Sequence, residues 1–214
     1  MSIIKLCADH LRAFSGNHGV KLKSGHAHEL VASFFGYKSK AAMQMDILSP
    51  IKNLDQAKIF VLMPSLFIEE RRKRLEYLPS GLPDAYTLGE EMFACLASEG
   101  RLAGRFFASW EHLAEVLTNE YLQKNGNSIL PINFGPYEKA RHIFNKPIYE
   151  FNPKIETTGN GIKLTATNKY YGSSDVHFQS IDLAITITLQ RIAGYIGYAN
   201  PEISIIDISN QLTK

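Results

Sequence analysis

Two histidines two residues apart, His26 and His28, are the first residues whose type and spacing could do chemistry. Metal ligands on a helix sit three or four apart, because those positions share a face. A spacing of two turns the imidazoles roughly 200° apart, and no Cys, His or Asp cluster follows at ligand spacing. No metal ligand is assigned, and neither a metal nor a cofactor is expected. Asp175 and His177 could exchange a proton but have no nucleophile at defined spacing. GxSxG, the P-loop and GxGxxG after a strand are all missing from the sequence. These residues predict a protein that is not an enzyme.

Residues 24–46 carry a different chemistry. Ala32 and, four later, Gly36 fit the small residue and turn glycine of a helix-turn-helix. Val31, Phe35 and Tyr37 would anchor it, with Ala42 and Met45 holding the second helix down. Lys38, Ser39, Lys40, Met43 and Gln44 would then face outward, where a recognition helix meets the major groove. Lysine can take phosphate or guanine there, and glutamine adenine. A tight helical hairpin with no DNA role needs the same small residue and glycine. Arg71, Arg72, Lys73 and Arg74 form the one basic run. It could contact phosphates, although Glu69, Glu70 and Glu76 flank it as on a solvated face. Tyr170, Tyr171, Tyr195 and Tyr198 cluster near strand ends, which suits a protein or single-strand interface and equally suits sheet packing.

The string HAHELVASFFGYKS carries a resemblance through His26, Ala27, Glu29, Leu30, Ala32, Gly36, Tyr37 and Ser39. It resembles a short helical module of bacterial proteins labelled glyoxalase-related and of uncharacterised mobile-element proteins. The resemblance covers this block alone. It implies a bacterial origin and a helical module, not glyoxalase chemistry, which needs a paired βαβββ fold with spaced His and Glu ligands.

These side chains must be positioned by elements that the pattern also predicts. Ile4, Cys7, Leu11 and Phe14 recur at helical spacing over 3–14, closed by Gly16 and Gly19. Ser24 can cap a helix over 25–35 with Gly36 at its end, and Ser39 a third over 40–48. Residues 58–63 read as a buried strand. Ser65 can cap a helix over 66–78 with Glu69–Lys73 and Glu70–Arg74 pairs. Thr87 and Glu90 fit a capping box for 88–98. Ser109 can cap 110–123, stopped by Asn125–Asn127, and Pro136 can open a short helix to Phe144. Residues 148–157 and 162–167 suggest a hairpin around a type I′ turn at Asn160-Gly161. Ile181, Leu183, Ile185, Ile187 and Leu189 share one face of a strand. A corner at 194–197 and a last strand over 202–209 follow.

The class expected is α+β: a helical N-terminal part with the helical hairpin, then a C-terminal antiparallel sheet of about four strands. The expected divisions are 1–80, 81–146 and 147–214, the last two compatible with one domain. With 45% hydrophobic and 21% charged residues, the 214-residue chain has a globular composition. Its net charge of +2 is too mild to imply nucleic acid. Residues 1–80 hold 12 Lys+Arg against 7 Asp+Glu, and residues 81–214 hold 11 against 14. Cys7 and Cys95 fit buried small hydrophobes. The first residues lack a secretion signal and no run spans a bilayer, so a cytoplasmic protein with no membrane partner is expected. The function expected is that of a non-enzymatic bacterial accessory protein acting through a protein partner. The alternative is a DNA-binding regulator using residues 24–46, for which a homodimer would be the natural state.

Overall fold

A computed structural model describes residues 2–129, 152–173 and 178–208. The helix expected from Pro136, the start of the strand expected over 148–157, and the pair Asp175 and His177 lie outside the described residues, as do the side chains of Tyr170 and Tyr171. The chain divides into two compact units, 1–108 with 190–200, and 109–189 with 201–214.

The first unit is built from amphipathic helices. α1 (Ile3–Asn17) is capped by Ser2, whose Oγ accepts from Lys5 N. It runs through Gly16, one turn further than the glycines suggested, and the left-handed residue that follows is Gly19, at φ +73°. α2 (Ser24–Phe34) takes Lys23 rather than Ser24 as its N-cap, so Ser24 is already helical. α3 (Lys40–Met45) is shorter than expected and is followed by a 3₁₀ turn, Ile51–Gln56. α4 (Pro64–Arg74) begins with proline at N1, where its preset φ and missing N–H do no harm. It ends four residues before the expected stop. α5 (Ala85–Ser98) is capped by Asp84, which accepts from Thr87 N at 2.7 Å. Thr87 is thus the third helical residue and not the cap. The apolar stripes of α1, α2, α4 and α5 pack on one another around Leu11, Leu30, Phe34, Leu88 and Met92, all fully buried.

Three strands and part of a fourth complete this unit. β1 (Ile59–Val61) pairs in parallel with β2 (Arg105–Phe107) and antiparallel with the two-residue β6 (Gly197–Tyr198). β6 in turn pairs with Arg191–Ala193, the end of β5 (Phe178–Ala193). The β1–β2 pair was not expected, because β2 has three residues and two are exposed, which leaves no pattern to read.

In the second unit α6 (Trp110–Ile129) starts as expected at Ser109, whose Oγ accepts from His112 N. It continues through Asn125–Asn127, since one interior glycine costs only about 1 kcal/mol. β3 (Lys154–Thr158) and β4 (Gly161–Ser173) form the hairpin. Its turn residues are Gly159 and Asn160, neither at positive φ, so the turn is not type I′. β5 lies between β4 and β7 (Glu202–Asp207). Its residues Ile181, Leu183, Ile185, Ile187 and Leu189 are buried, as the alternation predicts. The protein is α+β, with seven described strands where one at 58–63 and about four after residue 147 were expected, and a parallel pair among them.

Gly36 fixes the turn after α2. Its φ is +82°, and a Cβ there would lie 2.6 Å from Tyr195 Cβ. Gly36→Ala should therefore lower stability by at least the roughly 1–2 kcal/mol of a left-handed alanine, measured by urea unfolding. Gly25→Ala, inside α2 with open space around it, should be neutral or stabilising.

Candidate functional site

The expected helical hairpin exists, but its second helix is rotated. Ser39 Oγ accepts from Ala42 N, and the Glu29 carboxylate accepts from Lys40 N at 2.9 Å. Two acceptors thus fix the first turn of α3 and set which side faces the core. Met43, expected outside, is buried, whereas Met45 is 80% exposed and Ala42 is also exposed. Val31, Phe35 and Tyr37 are buried, as expected. Lys38 and Gln44 are exposed, Ser39 is occupied as the cap, and Lys40 is half-buried. At six residues, α3 is about 9 Å long, and Gln44 is its one exposed side chain that can form hydrogen bonds.

The segment after α3 is held by a buried polar network that sequence reasoning missed. Asp46 Oδ2 accepts from Tyr37 Oη at 2.7 Å and lies 3.3 Å from Arg191 Nη2. Its Oδ1 accepts from the N–H groups of Leu48 and Ser49. The Arg191 and Asp46 side chains are only 11% and 8% exposed, so each charge is largely shielded from water. Arg191 Nε donates to Ser49 Oγ, and Ser49 Oγ donates to Arg191 O. The guanidinium sits 4.2 Å from the centre of the Tyr195 ring, whose edge meets Tyr37. Gly194 N donates to Ser49 O and Tyr195 N to Phe35 O. Burial alone would raise the Asp46 carboxyl, but the hydrogen bonds from Tyr37, Ser49 and Leu48 and the charge of Arg191 outweigh it and hold it low. Burial, then the carboxylate beside it, pushes the Tyr37 phenol well above its ordinary value. Only the local part was legible: an Asp followed two and three residues later by backbone it can bond is an Asx turn.

This network presents apolar side chains to solvent. On either side of the fixed Asp46, Met45, Ile47 and Leu48 are 80%, 85% and 62% exposed.

The basic run divides. Arg71 Nη2 binds Glu29 at 2.7 Å, with both side chains about four-fifths buried. Arg72 donates to the carbonyls of Pro83 and Leu82, just before α5. Both arginines thus tie α4 into the fold, Arg71 to α2 and Arg72 to the residues just before α5. Arg74 is exposed and makes no pair with Glu70, contrary to the expected helical pair, while Lys73–Glu69 forms at 3.8 Å. Arg74 and Arg71 nevertheless meet Lys38 around one small cleft of about 130 Å³, walled also by Gly36, Tyr37, Phe67 and Glu70. The two groups of cations singled out in the sequence therefore converge.

Of the remaining candidates, His26 has its Nδ1 buried with no hydrogen-bond partner among the described residues. His28 Nδ1 donates to Ser24 O. Among the described residues no three His, Cys, Asp or Glu side chains are grouped to hold a metal, and no helix is long and apolar enough to cross a membrane. Cys7 and Cys95 are buried, and burial pushes the Cys7 thiol up to about 12. Tyr198 is buried with its hydroxyl on Tyr195 O, so it packs the sheet and offers no surface.

Asp46→Asn should leave the Arg191 charge buried without a counter-charge and cost about 3–5 kcal/mol at neutral pH. The folded Asp46 carboxyl is held below its unfolded value of about 3.9. Its contribution is therefore complete above that value and is lost as pH falls through the folded one. Urea unfolding across acid pH should show the gap between wild type and variant constant down to about pH 4 and closing below it. A gap that does not narrow in acid would contradict this assignment. No protein-family model, curated protein or solved structure matches this chain.

Proposed function

We propose that this chain is a non-enzymatic bacterial accessory protein that acts by binding a protein partner, with the Met45–Leu48 segment as its contact surface. The observation that carries the reading is the combination of exposure with fixation. Exposed apolar side chains on a mobile loop could fold away, but these flank an aspartate held by three hydrogen-bond donors and an ion pair with Arg191. Clustered exposed apolar groups mark interaction sites, and a fixed display loses little entropy on binding. The resemblance of residues 26–39 to a bacterial helical module supports the origin and adds nothing on the partner.

The alternative, a DNA-binding regulator using 24–46, retains one favourable observation: Lys38 and Gln44 are exposed on the hairpin. Against it stand the short α3, its apolar outward side, and the engagement of Arg72 by the carbonyls of Leu82 and Pro83.

The test is capture by the immobilised chain, followed by isothermal titration of any retained protein. Ile47→Asp/Leu48→Asp should weaken that binding at least about tenfold, since removing apolar anchors of this size costs 1 kcal/mol or more each. Partners bound equally by both chains would remove the Met45–Leu48 surface from consideration. Duplex DNA followed by fluorescence anisotropy over a salt series tests the alternative. Salt-dependent binding abolished by Lys38→Ala/Lys40→Ala/Gln44→Ala would establish that reading in place of the first.

A further inference from the structure

The cleft between the α2–α3 turn and α4 has the chemistry of a small anion site. We propose that it binds one tetrahedral oxyanion of the phosphate class, held by Lys38, Arg71 and Arg74. Three cations line it against one carboxylate, Glu70. Glu29 offsets part of the Arg71 charge from outside the lining, and an excess of positive charge remains. Lys38 and Arg74 are in no ion pair among the described residues. Arg71 gives Nη2 to Glu29, and its Nε is buried with no hydrogen-bond partner among the described residues. An anionic oxygen is the acceptor that guanidinium and ammonium groups bind most strongly. Arg71 is also the least free of the three, because Glu29 holds it, and that pre-orders the guanidinium for an incoming oxyanion.

The volume sets the size of the ligand. About 130 Å³ is well below the roughly 300–1,000 Å³ of pockets for drug-sized molecules, so the cleft takes a single phosphate group and not the base and sugar of a nucleotide. The group could be free phosphate or the head of a phosphorylated side chain; both present the same oxygens. The site stands independently of the protein-partner reading, since its ligand contacts none of Met45, Ile47 or Leu48.

The full chain would be titrated calorimetrically with inorganic phosphate and, separately, with O-phosphoserine, alongside Lys38→Ala/Arg74→Ala. Lys73→Ala, on the same helix but outside the cleft, is the control. Saturable binding is expected for wild type and control, weakened about tenfold or more in the double variant by loss of two charge-assisted contacts. Tighter binding of O-phosphoserine identifies a phosphorylated side chain as the source, and equal or weaker binding the free ion. Amide chemical-shift changes in the wild type alone should fall on residues 36–38 and 67–74, which keeps the test independent of how the variants fold. No saturable binding of either probe, equal binding by the double variant, shift changes confined to other residues, or binding of duplex DNA with no response to either probe would each overturn the proposal.

Discussion

The first unit depends on one buried charge pair, Asp46 with Arg191. Two ions removed from water are tolerated only when each is paired and its remaining hydrogen-bonding positions are filled. Here Tyr37, Leu48 and Ser49 fill the aspartate, and Ser49 and the Tyr195 ring fill the arginine. Apolar packing around Leu30 and Phe34 supplies the greater part of the driving force, but it is not directional. The network is directional, and it places the turn after α2, the segment after α3 and the end of β5 in one arrangement.

Glu29 has a comparable role on a smaller scale. A single carboxylate closes the start of α3 and holds Arg71 of α4. That explains both the rotation of α3, which leaves its outward side apolar, and the loss of an arginine from the set of freely solvated cations. The same carboxylate thus shapes the apolar display and the cationic cleft.

Much of the architecture was legible in the sequence because it follows local rules. Ser39 and Ser109 announce their helices, Gly36 announces its turn, and the alternation from Ile181 to Leu189 announces a buried strand face. The errors have the same physical character. Ser65 and Thr87 are good caps in isolation, but Pro64 and Asp84 place the helix starts earlier. Met43 and Met45 are equivalent as residues, and only the long-range tie of Glu29 to Lys40 decides which is buried. The convergence of Lys38 with Arg71 and Arg74 depends on how α2 packs on α4, and no spacing encodes it. Arg191 gives a faint signal, a lone cation at the end of an apolar strand, but its partner is not identifiable without the fold.

Ser49 and Arg191 are separated by 142 residues in sequence, and this has a consequence for the order of events at the ribosome. When the helices of the first unit have emerged, their aspartate and tyrosine still lack the guanidinium that completes them. The segment containing it comes only after the whole of α6 and the hairpin have been made. Until that segment arrives, the nascent helical part cannot form the ion pair that Asp46 makes in the folded unit. The placing of the segment after α3 therefore draws on residues made long after its own, in the 190–200 stretch that belongs to the same unit.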